Sequence, residues 1–236
     1  MRQSGRLFLE ISHPTGPGWA HPIRRAISGN QFLALRDRAW RRNQLSDLAF
    51  AINTRLSYLP QLVAFIDDNI AELQKELTQP VVKVHLDSGS AFRFHNTKAL
   101  HRVLFGATAF ITESRSCFEN LAVFYLHFMA FYCRRVISKP KSYNVVARST
   151  PKRRWVTALR NIRGDLIHAR SLFLAYEVNA SQTRWAPIFS MNWRPGHFGQ
   201  RDRIELARFA EIWEGLHDAA SAMSRKIAKI AAARKR

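Results

Sequence analysis

The sequence contains little cysteine. Its 236 residues include two, Cys117 and Cys133. If one helix carried both, they would lie roughly 24 Å apart, which is too far for a disulfide bond. Two isolated thiols without a Cys-x2-Cys spacing are typical of a reducing compartment. A disulfide-stabilised secreted domain is therefore not expected.

Long hydrophobic runs are also missing. The most apolar run, Leu121 to Cys133, is shorter than the ~20 residues that a membrane-spanning helix needs, and His127 interrupts it. The N-terminal residues do not contain the continuous apolar core of a signal peptide. The sequence predicts a soluble, cytoplasmic protein.

Motifs of several common enzyme classes do not occur. The sequence has no GxGxxG dinucleotide-binding loop, no Walker A phosphate loop and no GxSxG nucleophile elbow. Its nine histidines are scattered, and none shows a metal-ligand spacing with cysteine or acidic neighbours. We therefore expect neither a cofactor nor a metal site.

Acidic residues are scarce relative to basic ones. The chain has 37 Lys and Arg against 17 Asp and Glu, which gives a net charge of +20. Such an excess indicates a polyanionic partner, nucleic acid before anionic membrane or acidic protein, although an arginine-rich proteome would also raise the count. Most of the excess is arginine, whose planar guanidinium suits phosphate.

The basic residues concentrate between Tyr132 and Arg170. This stretch holds eleven of them and a single acid, Asp165. Interleaved aromatic residues such as Trp155 would either stack on single-stranded bases or belong to the core. A solvated basic loop is the alternative to an RNA-binding surface. The residues predicted to bind RNA are Arg148, Lys152, Arg153, Arg154 and Arg170.

Hydrophobic periodicity predicts a helical fold. Residues 81–95 are expected to form a connection with some strand character, and Pro60 should kink the first helix or start a new one. We predict an all-α, antiparallel helical bundle of four to five helices with a small β-hairpin insertion at about 171–195. The four long amphipathic patterns span roughly residues 30–79, 96–138, 155–170 and 201–232. The predicted apolar stripe of the second consists of Leu100, Leu104, Ala107, Ile111, Ser114, Phe118, Leu121, Tyr125, Phe128 and Tyr132. That of the last consists of Leu206, Phe209, Trp213, Leu216, Ala220, Met223, Ile227 and Ile230.

The chain is predicted to form a single domain. Residues 1–29 are expected to be irregular because several prolines and glycines interrupt them, residues 30–232 to form the helical bundle, and residues 233–236 to be a basic tail. Residues 138–154 are interpreted as a basic loop that leads into the third helix.

The third helix is predicted from its apolar stripe and its start signals. The stripe consists of Trp155, Leu159, Ile162 and Leu166. Ser149 or Thr150 is the predicted N-cap, with Pro151 as the first helical residue.

Residues Leu159–His168, LRNIRGDLIH, resemble the Arg-x4-6-His signature of the HEPN superfamily (higher eukaryotes and prokaryotes nucleotide-binding). The resemblance covers roughly residues 97–170 and the last helix, and Glu113–Tyr125 is loosely similar to the acidic, aromatic second helix of some members. It implies a bundle of four or five helices, often dimeric. Many such domains are metal-independent ribonucleases in toxin–antitoxin, CRISPR-linked and other defence systems.

The resemblance also implies roles for matching residues. Arg163 would hold the scissile phosphate, and His168 would transfer protons to or from the ribose 2′-OH and the leaving oxygen. The residue after the motif arginine is often polar in the family, but here it is Gly164. Arg170 stands where some family toxins carry a modified tyrosine, so adenylylation there is not expected.

Helical geometry constrains this site. Arg163 and His168 lie five positions apart, which is roughly 140° around an ideal helix. Asn161, Asp165 and His168 share the face opposite the apolar stripe, whereas Arg163 lies at the stripe's border. A two-fold dimer that joins two such helices would supply a common cleft. Asn161, Asp165 and Arg160 are the predicted supporting residues.

Other interpretations of these residues stay open. His168 can be a surface histidine paired with Asp165, and Arg163 a structural arginine. Glu113 and Glu119 of the second helix either reach the site, lie on an exposed flank or form salt bridges with arginines.

Together, the sequence and the resemblance predict a homodimeric, HEPN-like, metal-independent endoribonuclease that cleaves RNA by 2′-OH attack, as a toxin or antiviral defence effector. RNA is the expected partner, an antitoxin or another protein partner is a further expectation, and no membrane partner is expected. The alternative is a non-catalytic basic helical protein that binds RNA, or a scaffold that recruits an acidic partner.

Overall fold

A computed structural model describes nine stretches of the chain, and all structural statements below concern them. They are residues 18–30, 45–77, 85–87, 90–92, 97–151, 154–167, 173–178, 185–190 and 203–233. The described chain is predominantly helical, in agreement with the predicted all-α class.

The helices and strands follow in this order along the described chain. The helices are α1 (His21–Ser28), α2 (Leu45–Leu77), α3 (Lys98–Phe131), α4 (Lys139–Ala147), α5 (Arg154–Ile167) and α6 (Ala207–Ala233). The strands are β1 (His85–Asp87), β2 (Ser90–Phe92), β3 (Phe173–Val178), β4 (Trp185–Ser190) and β5 (Arg203–Glu205).

Helix α3 lies at the centre of the fold. It contacts α2, α4, α5, α6 and β3. The helix begins where Thr97 Oγ1 accepts a hydrogen bond from the Leu100 amide at 3.3 Å, which satisfies one of the donors that a helix start leaves unpaired. Its predicted apolar stripe is confirmed from Ala107 to Phe128, and each buried phenylalanine contributes about 1.5–3 kcal/mol of transfer free energy.

Helix α6 forms the other main support of the core and contacts each of the five other helices. Its predicted stripe is confirmed at Phe209, Leu216, Met223 and Ile227, all buried. Trp19, just before α1, ties the chain to α6. Its indole Nε1 donates to the Ala220 carbonyl at 2.6 Å, and its own carbonyl accepts from Ser224 Oγ at 2.8 Å.

Helix α2 is continuous from Leu45 to Leu77, although Pro60 lies inside it. Of the two alternatives expected at Pro60, a new helix does not start there, and a kink stays a prediction. Residues 31–44, which belong to the same predicted pattern, lie outside the described residues. No helix among those the structure describes combines the length and apolarity needed to cross a bilayer.

Two short helices occur where the sequence predicted irregular chain. Helix α1 falls within residues 1–29, and α4 falls within residues 138–154, which were predicted as a basic loop. In each, a proline stands in the first turn, Pro22 in α1 and Pro140 in α4. A proline there removes no intrahelical hydrogen bond, so the residue that suggested a helix break is compatible with a helix start.

The start of α5 also differs from the prediction. The helix begins at Arg154, and Pro151 lies in a bend before it. Thr150 Oγ1 accepts a hydrogen bond from the indole Nε1 of Trp155 at 3.3 Å, and Ser149 Oγ donates to the Val146 carbonyl at the end of α4. The helix boundary predicted at these residues is therefore wrong.

The strands form two small antiparallel sheets. Strand β1 pairs with β2 inside the predicted connection 81–95. Strand β3 pairs with β4 and β4 with β5, and both β3 and β4 lie within about 171–195. Residues 203–205 were predicted as the start of the last helix, but they pair with β4. Ile204 opposite Phe189 is buried, so packing outweighs the helical pattern there.

Arg134 adopts a left-handed backbone conformation, with φ of 49°. This conformation costs a residue with a Cβ about 1–2 kcal/mol relative to glycine. Because glycine also gains entropy in the unfolded chain, we expect Arg134→Gly to stabilise the fold by up to about 1 kcal/mol in thermal unfolding. The matched control is Arg135→Gly, which should not stabilise it. Equal losses in both variants would contradict the assignment.

Candidate nucleic-acid interface

Helix α5 is fixed to the core by one face. Trp155 and Leu159 are 1% exposed, and Val156 is also buried. The Trp155 ring lies 5.9 Å from the Phe118 ring of α3 and packs directly on Gly215 of α6. The predicted stripe is confirmed at Trp155 and Leu159. Trp155 therefore belongs to the core and does not act as a platform for bases.

The opposite face of α5 is open to solvent. Arg154, Arg160 and Asn161 are exposed. Arg154 and Asn161 lie two turns apart in the same row of the helix, and the exposed Arg160 lies about 100° around the helix from Asn161. This face offers guanidinium and amide donors that suit phosphate oxygens.

Exposed basic residues also lie N-terminal to α5. Together with the exposed Arg154 and Arg160 of α5, we call them the basic segment. Between Glu119 and Asp165 the sequence contains no acidic residue. The members of the basic segment are Arg134, Arg135, Lys139, Lys141, Arg148, Arg154 and Arg160. Because this stretch contains no carboxylate, its own net charge is strongly positive, which favours a polyanionic partner.

Glu113 and Glu119 of α3 each form an ion pair with an arginine. Glu113 Oε2 lies 2.9 Å from Nε of Arg55 on α2, and Glu119 Oε1 lies 2.7 Å from Nε of Arg115. The salt-bridge interpretation of Glu113 and Glu119 is thus confirmed. Arg115 also lies over the rings of Phe118 and Tyr143, at 5.4 and 5.7 Å from their centroids.

Arg163 and Asp165 lie near the C-terminal end of α5, where the structure describes the backbone only. Position 163 follows the buried Leu159 by one turn and the buried Val156 by two. Position 165 follows the exposed Asn161 by one turn. The backbone thus places Arg163 on the core side of the helix and Asp165 on its solvent side.

The other predicted site residues lie outside the described residues. They are His168, Arg170, Lys152 and Arg153. Of the predicted set, the structure shows four residues as exposed: Arg148 at the end of α4, and Arg154, Arg160 and Asn161 on α5. Lys139 and Lys141 belong to the predicted basic stretch but were not named among its RNA-binding residues, and both are exposed on α4. Ser138 followed by Pro140 is the sequence signal that marks the start of this helix.

Metal and thiol chemistry find no support among the residues that the structure describes. No three His, Cys, Asp or Glu side chains in this part of the chain lie close enough to hold a metal ion. Both cysteines are buried thiols. Burial raises the pKa of Cys117 to about 12, an effect that Arg55 opposes and Glu113 adds to, so this thiol stays protonated at neutral pH.

The chain was compared with protein-family models, with curated proteins and with solved structures, and none of the three comparisons gave a match.

Proposed function

We propose that this protein is a metal-independent endoribonuclease that binds RNA through its basic segment and cleaves it with Arg163 and His168. The observation that carries the proposal is the arrangement of α5. Its buried face anchors the helix at Trp155 and Leu159, and its other face presents Arg154, Arg160 and Asn161 to solvent. The helix with the motif arginine is thereby also a phosphate-binding element.

The proposed reaction is an in-line transesterification. His168 removes the proton of a ribose 2′-OH, and the 2′-oxygen attacks the adjacent phosphorus. The bond from phosphorus to the 5′-oxygen of the next nucleotide breaks, and that oxygen takes up a proton. Arg163 binds the phosphate oxygens and stabilises the charge that develops on them. The products are a 2′,3′-cyclic phosphate and a free 5′-hydroxyl.

The proposal extends to the assembly and the biological role. The helices form an antiparallel bundle in which the β3–β4 hairpin is an insertion. Two copies associate so that Arg163 and His168 of both chains line one cleft, because one helix alone separates these residues by roughly 140°. The protein acts in the cytoplasm as a toxin or defence effector, with an antitoxin or another protein as a further partner.

A second candidate is a non-catalytic RNA-binding protein. The exposed basic segment favours it, because phosphate binding by Arg148, Arg154 and Arg160 needs neither Arg163 nor His168. A scaffold that recruits an acidic protein would use the same charges. The candidates differ in RNA retention at moderate salt and in cleavage.

Charge reversal in the basic segment should weaken RNA binding strongly. We expect the triple variant Arg148→Glu, Arg154→Glu and Arg160→Glu to reduce affinity for single-stranded RNA by about 10²-fold or more, because each lost phosphate contact also loses counterion release. The magnitude of the slope of log K against log salt should fall by about 2, because each of the three lost phosphate contacts contributes about 0.7. Fluorescence anisotropy over a salt series measures both.

The control carries the same change of net charge elsewhere. Arg25, Arg225 and Lys229 are exposed on α1 and α6. Their joint replacement by glutamate should weaken binding by a smaller factor with little change in slope. Equal losses in the two triple variants would assign binding to the overall net charge and contradict an interface at the basic segment.

A further inference from the structure

A cleft between α2 and α6 lies apart from the basic segment. Its volume is about 310 Å³. One wall is formed by Asn53, Leu56 and Ser57 of α2, whose spacing places them on one face of that helix, and Trp19 also lines the cleft. The facing wall of α6 consists of Trp213, His217 and Ser221, which lie one turn apart from each other.

Trp19 and Asn53 in the lining of the cleft are held in place by hydrogen bonds. Asn53 Oδ1 accepts from the backbone amide of Trp19 at 3.2 Å, and the Trp19 indole donates to the Ala220 carbonyl. The Trp19 ring also contacts Phe124 edge-on, with 4.9 Å between centroids. Because these contacts fix Trp19 and Asn53 before any ligand binds, a ligand would not have to order them.

The lining residues are aromatic and polar rather than charged. The ring centroids of Trp213 and His217 are 5.3 Å apart. Trp213 is half-buried, and His217 is exposed. The Asn53 amide nitrogen has no hydrogen-bond partner among the described residues, and Ser221 adds a hydroxyl. Among the residues that the structure describes, no Lys, Arg, Asp or Glu lines the cleft. Such a lining recognises a flat heteroaromatic group by stacking and hydrogen bonds, not an ion by its charge.

We infer that this cleft binds a nucleobase. Its volume lies at the lower end of the roughly 300–1,000 Å³ of ligand pockets, which is enough for one base or nucleoside. The base stacks on the indole of Trp213, and Asn53 and Ser221 hydrogen-bond to its edge. The base belongs either to a free nucleoside or to a single-stranded RNA, and both sources share this chemistry.

The cleft is independent of the proposed cleavage. Trp213, in the cleft, and Gly215, against which Trp155 of α5 packs, are two positions apart on α6. Two positions correspond to roughly 200° around a helix, so the cleft and α5 lie on opposite sides of α6. Loss of cleavage or of phosphate binding at α5 would leave nucleobase binding intact.

The test titrates the whole protein with adenosine, guanosine, cytidine and uridine, and separately with short single-stranded oligoribonucleotides. Binding is followed by isothermal titration calorimetry. Trp213→Ala should weaken the binding of the preferred base by about tenfold, because stacking on an aromatic ring supplies much of the affinity for a base. His217→Ala, which changes an exposed side chain, should weaken it by a smaller factor. Phe105→Ala removes an exposed aromatic ring of α3 outside the cleft and should have no effect.

Each outcome decides the inference. Nucleoside binding that depends on Trp213 and His217 supports a site for free ligand, and dependence seen only with oligoribonucleotides supports a site for a base of bound RNA. The inference is overturned if neither kind of ligand binds at millimolar concentration. It is also overturned if Trp213→Ala unfolds and the His217→Ala and Phe105→Ala variants both bind like the original protein. The Arg148, Arg154 and Arg160 triple variant should keep its nucleoside affinity, which separates this test from that of the proposed function.

Discussion

Replacing His168 with alanine is expected to lower the rate of RNA cleavage by about 10²–10⁴-fold, the contribution of a positioned general acid or base. RNA affinity should change little, because the imidazole acts on the 2′-OH proton and not on the phosphate charge. Arg163→Ala should also abolish measurable cleavage, because the guanidinium stabilises charge that develops during the reaction. Single-turnover assays with saturating protein separate the rate of cleavage from binding.

Matched controls exist for both substitutions. His101 is exposed on α3, and Arg225 is exposed on α6. Their replacement by alanine removes the same side-chain types outside the proposed site, and cleavage should proceed at the original rate. Cleavage that persists in both the Arg163→Ala and His168→Ala variants would assign the activity to other residues. RNA binding without cleavage by the original protein would favour the non-catalytic alternative.

Substitution of Gly215 by alanine is expected to cause the largest loss of stability. A Cβ atom at this position would lie 2.3 Å from Cγ and Cδ1 of the Trp155 ring and 2.8 Å from its Cβ. Trp155 is buried and cannot rotate away without displacing α5. Overpacking of this kind costs about 1–3 kcal/mol, although helix propensity alone would favour alanine by about 1 kcal/mol. For a chain of this size, a 3 kcal/mol loss lowers Tm by about 6–12 °C.

Thermal unfolding of Gly215→Ala tests this packing. The control is Glu214→Ala, the neighbouring exposed residue of α6, which should change Tm little. Because α5 carries Arg154 and Arg160, its displacement should also weaken RNA binding in Gly215→Ala. A Tm equal to or above that of the original protein would show that the α5–α6 contact is looser than described.

Hydrophobic spacing was sufficient to predict the long helices. The stripes of α3 and α6 have a rhythm of threes and fours that strand geometry does not fit, and the residues of these stripes fill the core. The stripe of α5 was confirmed at Trp155 and Leu159 for the same reason. Periodicity reports which side of a helix is buried, so these parts of the fold could be derived without coordinates.

Short elements could not be derived in this way. Helices α1 and α4 are too short for a clear period, and their first-turn prolines resemble loop signals. Strand β5 depends on pairing with β4, which is a long-range contact. The cleft between α2 and α6 depends on two helices far apart in the sequence and on Trp19, so no local pattern marks it.

The candidate site was predictable to the extent that charge and amphipathicity determine exposure. Asn161 lies on the solvent side of α5, as its predicted place opposite the apolar stripe required, and Arg154 and Arg160 are exposed as well. The role of Trp155 was open between stacking and core, and its burial decides it. The pairing of Arg163 with His168 depends on side-chain positions and an assembly that periodicity does not determine, and it stays a prediction.

The nature of the RNA ends produced tests the central claim most directly. The purified protein is incubated with a single-stranded RNA in the presence of EDTA, beside the same sequence built from 2′-deoxynucleotides, and the products are identified by mass spectrometry. We predict cleavage of the RNA alone, with 2′,3′-cyclic phosphate and 5′-hydroxyl ends. Cleavage of the deoxy strand, products with 5′-phosphates, or RNA left intact would contradict the account.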